Sequence, residues 1–319
     1  MICVKKFLLI VWRVICDVKH EADIQKNPRY RLNRVSAELI RNVHSIEKGL
    51  SIKNPRLGYG VRKILEMFRL AEEYMSLTDD KTLLFFVEDS LHEYLDFHRN
   101  AGYTNKELED IAVRLDKLNK KTGSHEGVYG GTVICRKEDT DFDIRQISRL
   151  FDTRHSIRSF SGEVVPEERI RRAIAMAQRA PSACNRQAVR VYSIKACDYV
   201  KLAGNMEGIG GFAQDADRFL LITGIESAYR AGERMQFAVS ASMFAAYLSL
   251  ALHALGIGAC AVQRSLYEND EFAAFREKYG IQNDEQVVIM LAVGMVKDEV
   301  KVPLSSRLDI DTIYRNLNG

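Results

Sequence analysis

The sequence is poor in the residues that mark metal sites and disulfide scaffolds. Its 319 residues include five prolines, one tryptophan and six cysteines. No pair of cysteines has Cys-x-x-Cys spacing, and no cysteine is spaced with histidine as in a zinc site; they stand at Cys3, Cys16, Cys135, Cys184, Cys197 and Cys260. Neither a disulfide framework nor a structural metal is therefore expected. This cysteine usage suits a reducing compartment, so we expect a cytoplasmic protein.

Net charge is also small, because 46 Lys/Arg against 43 Asp/Glu gives +3. This value alone does not indicate nucleic-acid binding, and no nucleic-acid partner is expected. The basic residues are nevertheless uneven, since residues 1–60 hold twelve Lys/Arg against five acids. Such asymmetry accompanies contact with a polyanion or a membrane surface. A solvated helical surface is the favoured interpretation.

The first sixteen residues imitate a signal peptide. Lys5 and Lys6 precede the apolar run 7–12, but Arg13 interrupts it and no small-x-small cleavage site follows. Because about 20 apolar residues are needed to cross a bilayer, this segment is too short to span one. We predict a helix that docks on the rest of the protein, with a shallow membrane contact through residues 1–16 as the less favoured alternative.

Apolar spacing divides the chain into three parts. Residues 1–125 have helical periodicity and predict an all-helical N-terminal extension. Gly49 and the pair at 54–55 are predicted to end one of its helices, and a capping box from Thr104 to Glu107 is predicted to begin another. Residues 126–147 continue a glycine-rich stretch that looks like a linker or a loop over a surface. Residues 148–319 form the third part.

This third part predicts an α+β domain with a central, mainly antiparallel sheet flanked by helices. Three short β-branched or apolar runs predict strands at 189–194, 218–223 and 286–296. Helical patterns separate them at 166–179, with Pro166 in the first turn, and at 235–255. The second of these helices is apolar nearly all round, so we expect it to be central or to lie in a subunit interface.

Four segments in this part carry the chemistry. The first is Arg-His-Ser-Ile-Arg-Ser-Phe at 154–160, and the second is Ala-Pro-Ser-Ala-Cys-Asn-Arg-Gln at 180–187. The third is Leu-Gly-Ile-Gly-Ala-Cys at 255–260, and the last is Pro-Leu-Ser-Ser-Arg-Leu at 303–308. In order, residue type and spacing they resemble the nitroreductase superfamily of FMN enzymes. One departure is Ser305, where many relatives carry lysine.

The resemblance implies a nitroreductase-like fold over residues 148–319 and a flavin site. An FMN phosphate is a dianion that suits planar arginine forks, and Arg154 and Arg307 are the candidates. The resemblance also places Ser156 and Arg158 against the ribityl chain and pyrimidine ring. The full implied cofactor-binding set is Arg154, His155, Ser156, Arg158, Pro181, Ser182, Asn185, Gln263 and Arg307. No catalytic side chain is expected, because flavin N5 carries the chemistry.

The implied function is an FMN-dependent oxidoreductase that is cytoplasmic and homodimeric, with two FMN sites at the interface. Electrons would pass from NADH or NADPH to an electron-poor organic acceptor of the nitro or quinone type by a ping-pong mechanism. A second hypothesis is a flavin-binding or flavin-free accessory module that acts with a membrane or polysaccharide-assembly partner. A third is a specialised flavin reaction such as flavin fragmentation or reductive dehalogenation.

Two polar groups are candidates for the substrate side. His44, Glu47 and Lys48 lie within one helical turn and predict a polar cluster that faces a cleft. A capped, solvated helix end explains these three residues equally well. Glu233 and Gln236, at the start of the long apolar helix, form the second candidate group.

Overall fold

The computed structural model describes residues 2–203, 211–233, 235–262 and 276–317. The N-terminal part is helical, as the apolar periodicity predicts. Its helices are α1 (Ile2–Lys26), α2 (Arg31–Ser51), α3 (Val61–Leu77), α4 (Thr82–Asn100) and α5 (Lys106–Thr122). Helices α2 to α5 share one apolar core, and the predicted face of α2 is part of it, with Leu39, Val43 and Ile46 all buried.

Gly49 does not end α2, contrary to the prediction. The helix continues to Ser51, and a Cβ atom at Gly49 would overlap the ring of Tyr59. The glycine is therefore required for close approach, and the Tyr59 hydroxyl donates to the carbonyl oxygen of Ile46 at 2.6 Å. The capping residue of α5 was also wrongly predicted: Asn105 caps the helix by accepting from the backbone N–H of Leu108 at 2.9 Å.

The glycine-rich stretch is a loop that crosses the surface of α4. The Gly131 N–H donates to Ser90 Oγ at 3.0 Å and to Glu47 Oε1 at 3.2 Å. A Cβ atom at Gly130 would overlap the carbonyl oxygen of Phe86, so the chain can lie this close only without a side chain. Glu47, on α2, thus ties the path of the linker to the helical extension.

The C-terminal part is built on a four-stranded sheet, in agreement with the predicted α+β fold. Its strands are β1 (Val189–Lys195), β2 (Arg218–Ile225), β3 (Ile257–Val262) and β4 (Glu285–Met295). They lie in the order β1-β2-β4-β3, and every neighbouring pair is antiparallel. The helices around them are α6 (Ile144–Thr153), α7 (Glu167–Ala177), α8 (Ala196–Ala203) and α9 (Gln236–Ala254).

Helix α9 is the long apolar helix of the prediction, and it packs with α7 on one face of the sheet. Leu248 and Leu252 of α9 are buried against residues of β2 and β4. Within the described residues, α9 is the one helix whose length and composition would allow it to cross a membrane, and it packs against the sheet. Its outer side carries a half-exposed stripe of Val239, Met243 and Tyr247.

Two termini of helices differ from expectation. Pro166 is not inside the first turn of α7 but precedes it as the N-cap, with φ −58° and ψ 130°. Residues 2–16 do form a helix, but the described side chains between Phe7 and His20 are all exposed, so the predicted docking is not seen among them. Near the end of α1, Ile24 is buried.

Candidate functional site

The first of the four motifs (residues 154–160) lies along the edge of the sheet, beside the third motif (residues 255–260). The Ile157 N–H donates to the carbonyl oxygen of Ala259 at 3.0 Å, and Ser156 forms a parallel bridge with Ala259. A Cβ atom at Gly258 would sit 3.1 Å from the side chain of Ile157, so glycine gives the segment room to approach β3. The structure therefore brings Ser156 and the Leu-Gly-Ile-Gly segment together.

Positive charge gathers where this motif meets the C-terminal end of α9. Thr153 Oγ1 lies 2.8 Å from His253 Nε2, and Arg154 and His155 follow at the end of α6. Burial lowers the pKa of His253, and the positive charges of Arg154 and His155 lower it further. An arginine, two histidines and a serine in one place suit a phosphate-bearing ligand.

Arg158 is exposed on the same motif and interacts with Cys260 of β3. Burial raises the pKa of the Cys260 thiol, and the opposing effect of Arg158 is smaller. The thiol is therefore kept protonated at neutral pH. This environment is the opposite of the one that activates a nucleophilic cysteine.

The second motif forms a turn with unusual backbone geometry. Cys184, Asn185 and Gln187 have φ values of 53°, 54° and 53°, a region that residues other than glycine seldom occupy. The turn is closed by the Gln187 N–H, which donates to Ser182 Oγ at 3.1 Å. Strained backbone of this kind persists only where the surroundings hold it, and it concentrates at ligand sites.

Arg186 holds this turn from inside, a role that the sequence did not reveal. Its side chain is only 1% exposed, and its Nη2 donates to Glu233 Oε1 at 2.9 Å. The guanidinium carbon also lies 4.8 Å from the centre of the Tyr229 ring. Burial alone would raise the pKa of Glu233, but hydrogen bonds from Arg186 and from the backbone of Arg230, together with the charges of both arginines, outweigh it and the pKa is lowered.

The helical extension supports the same turn from the other side. Ala37 of α2 packs in one cluster with Ala183, Ala188 and Phe237. Next to this cluster, Glu38 of α2 accepts two hydrogen bonds from Arg230, at 2.8 and 2.7 Å. Glu38 and Glu233 thus connect α2, the segment at 230–233 and the turn at 181–187 through charged pairs.

The two predicted substrate-side groups are already engaged in the structure. Glu47 accepts from Ser90 and Gly131, and His44 Nδ1 lies 3.6 Å from Glu47 Oε2. Lys48 is exposed. In the second group, Glu233 pairs with Arg186, and Gln236 is the partly exposed first residue of α9. Their predicted contact with a substrate stays a prediction.

Arg307 lies in an exposed C-terminal segment. Its Nη1 donates to the carbonyl oxygen of Ser305 at 2.5 Å, and Ser305 itself has a positive φ of 49°. The predicted convergence of Arg154 and Arg307 on one phosphate stays a prediction. Pro181 is exposed at the start of the turn, and Gln263 falls outside the described residues.

The motif segments lie at opposite ends of α9. The turn contacts Ser240 near the start of the helix, where the Ala183 N–H lies 3.4 Å from Ser240 Oγ. Arg154 lies beside His253 near its end. With a rise of 1.5 Å per residue, these two points are about 20 Å apart along the helix.

A cavity of about 230 Å³ between α2 and the segment at 227–230 is lined by none of the motif residues.

Comparison with known proteins finds a match over the part of the chain that holds the first three motifs. The nitroreductase family model matches residues 152–204 and 200–295. Over those residues the C-terminal part of the chain is similar to the nitroreductase family, and we call residues 148–319 the nitroreductase domain. No curated protein matches the chain. The match supports an oxidoreductase of the general flavin type, and it covers α7, α9 and all four strands of the nitroreductase domain.

Solved structures similar to the chain include three nitroreductase-like proteins. A nitroreductase-like protein from Streptococcus mutans has 18% identity and a TM-score of 0.47, and the match covers 55% of this chain and 100% of that one. An FMN-dependent nitroreductase from Clostridium difficile has 22% identity, 52% and 97% coverage and a TM-score of 0.44. A putative nitroreductase in complex with FMN from Desulfovibrio desulfuricans has 23% identity, 56% and 98% coverage and a TM-score of 0.45.

Replacing Glu38 with glutamine is expected to loosen the contact between the extension and the nitroreductase domain. Burial raises the pKa of Glu38, but hydrogen bonds from Arg230 and Arg41 outweigh it and the pKa is lowered. Its stabilisation is therefore present above the pKa of an unfolded glutamate and is lost as pH falls through the lowered folded value. Glu38→Gln should cost about 1 kcal/mol of unfolding free energy at pH 7, measured by urea denaturation.

The matched control is Glu66→Gln. Glu66 pairs with Arg69 within α3, one turn apart on the same helix, and its side chain is 46% exposed. We expect a loss below about 0.5 kcal/mol for this variant. Equal losses in the two variants, or a Glu38→Gln effect that persists unchanged below pH 4, would contradict the assigned role of the Glu38 bridge.

Proposed function

We propose that the nitroreductase domain binds FMN and transfers electrons from NADH or NADPH to an electron-poor organic acceptor. One observation carries the proposal. Among the described residues, every non-glycine residue with positive φ lies in the segments 180–187 and 303–308: Cys184, Asn185, Gln187 and Ser305. Both segments are flavin motifs in the resemblance. Backbone strain thus falls where a cofactor would be held.

The donor set fits the cofactor. Arg154 and Arg307 offer planar guanidinium groups for the phosphate dianion, and Ser156 and His155 add uncharged or weakly charged donors. Arg158, exposed beside β3, would face the polar edge of the ring and offset negative charge there. When bound, FMN would supply the electron transfer itself, and the chain supplies binding, position and electrostatics.

We further propose that each site is completed by a second copy of the chain. The exposed stripe Val239, Met243 and Tyr247 on α9 would pair with the same stripe of that copy about a two-fold axis. In an antiparallel pair the start of one α9 lies beside the end of the other. The turn at 181–187 of one copy would then approach Arg154 of the other, which removes the separation of about 20 Å within one chain.

Other exposed apolar surface supports this pairing. Helix α6 presents Ile144, Ile147 and Phe151, and the C-terminal segment presents further large apolar side chains, Leu304, Leu308, Ile313, Tyr314 and Leu317. Exposed large apolar side chains in this number are what a surface covered by a second copy would present. If the C-terminal segment packs on a second copy, that contact would also orient the side chain of Arg307.

The test is flavin content followed by anaerobic reduction. Purified protein is expected to be yellow and to bind FMN, and stopped-flow mixing with NADH and then NADPH should bleach the flavin bands. Protein that binds FMN but is bleached by neither donor would support the accessory-module hypothesis instead. Colourless protein that does not take up added FMN would reject a flavin site altogether.

A further inference from the structure

Among the described side chains of helix α1, those near its C-terminal end anchor it to the rest of the chain. His20 Nε2 lies 2.9 Å from Glu226 Oε2, and Gln25 Nε2 donates to the carbonyl oxygen of Tyr229 at 2.6 Å. Ile24 is buried at the same contact. The described side chains from Phe7 to Lys19 are exposed. At 1.5 Å per residue, the stretch from Phe7 to Lys19 is roughly 20 Å of helix whose described side chains are not covered by the rest of the chain.

The uncovered part carries a continuous apolar face. Its large exposed side chains are Phe7, Leu8, Val11, Trp12, Val14, Ile15 and Val18. At 100° per residue they occupy one sector roughly 160° wide. Trp12, the only tryptophan of the chain, lies in that sector and is 60% exposed. Apolar surface of this extent on a helix indicates a partner.

Charge indicates which partner covers the face. The first sixteen residues contain Lys5, Lys6 and Arg13 and no acidic residue, and residues 1–60 hold twelve basic residues against five acids. This part of the chain is therefore drawn to a negative surface. The apolar run is too short to cross a bilayer, because Arg13 interrupts it after six residues.

We propose that α1 binds the surface of an anionic lipid bilayer, lying in the interface with its apolar face toward the acyl chains. A broad apolar face, basic residues and an aromatic residue of the interfacial type are the features of such helices. The anchored end, from His20 to Gln25, would hold the nitroreductase domain at the bilayer surface. This binding does not depend on FMN, so it can be measured whether or not flavin binds.

Trp12 provides a direct readout in the full-length protein. Vesicles of phosphatidylcholine with phosphatidylglycerol should shift its emission to shorter wavelength, and brominated acyl chains should quench it. Vesicles of phosphatidylcholine alone should bind at least about tenfold more weakly, and added salt should weaken binding to the anionic vesicles. Unchanged emission with anionic vesicles would overturn the proposal.

The variant Val14→Asp/Val18→Asp keeps Trp12 and places two charges on the apolar face. We expect its partitioning to anionic vesicles to fall at least about tenfold. The control Val113→Asp/Val128→Asp makes the same changes at two exposed valines outside α1 and should bind as the wild type does. Equal binding by the two variants would overturn the proposal.

A second copy of the chain is the competing occupant. In that case Trp12 emission in lipid-free solution would shift with protein concentration, and vesicles would have no further effect. That result would also overturn the proposal. Sedimentation of wild-type protein with anionic vesicles, lost in Val14→Asp/Val18→Asp and kept in the control, would establish it.

Discussion

Replacing Arg307 with alanine is expected to weaken FMN binding by roughly tenfold to a hundredfold, because a charged hydrogen bond to a phosphate contributes about 1.5–3 kcal/mol. Arg307 is exposed and its guanidinium contacts only a neighbouring carbonyl oxygen, so its removal should leave the fold unchanged. Titration of apoprotein with FMN, followed by flavin fluorescence, measures the effect. Thermal unfolding of the apoprotein should not move.

Arg315→Ala is the matched control for this experiment. Arg315 is also an exposed arginine near the C-terminus, and it donates to the carbonyl oxygens of Asp311 and Tyr314. Arg186 would be a poor control, since its buried side chain pairs with Glu233 and its loss would disturb the turn at 181–187. If Arg315→Ala weakens FMN binding as much as Arg307→Ala does, Arg307 is not the phosphate ligand.

Placing aspartate at Met243 is expected to separate the two copies and to release flavin at the same time. Met243 is half-exposed in the middle of the α9 stripe, so pairing would bury two like charges close to the two-fold axis. We expect the dimer dissociation constant to rise at least about a hundredfold. Sedimentation velocity and flavin content, measured over the same range of protein concentration, report the two losses.

Met176→Asp makes the same change on the exposed surface of α7, outside the proposed interface, and should leave both properties intact. The two measurements separate the parts of the proposal. A Met243→Asp monomer that keeps FMN at wild-type affinity would show that one chain holds the cofactor by itself. A wild-type protein that is monomeric and retains FMN would reject the composite site.

The sequence predicted the elements of the fold better than their ends. The strands and helices could be predicted from the spacing of apolar residues. Burial of one face makes apolar residues recur about every two positions in a strand and every 3.6 positions in a helix. The sequence predicts a helix end at Gly49, but in the structure this glycine makes room for the ring of Tyr59. Glycine marks either a break or a close approach, and the sequence does not say which. The exposed face of α1 was misassigned for a similar reason, since apolar spacing does not reveal what covers it.

The site was predictable only in part. Through a resemblance, the four motifs predicted residues of a flavin site, and the structure brings the first and third motifs together at β3. Glu38 and Arg230 could not be paired from the sequence, because 192 positions separate them and each is one of many charged residues. The role of Arg186 was hidden for the same reason, since nothing in the sequence shows that its side chain is buried.

The packing of Ala37 against Ala183, Ala188 and Phe237 has a practical consequence for anyone who shortens this protein. A fragment that begins after the linker would expose those three side chains to water and would lose the Glu38 bridge. The strained backbone at 184–187 would then be free to relax, and the turn would change shape. The helices before the nitroreductase domain therefore help to stabilise its tertiary structure. Engineering or directed evolution of this protein should keep the two parts together.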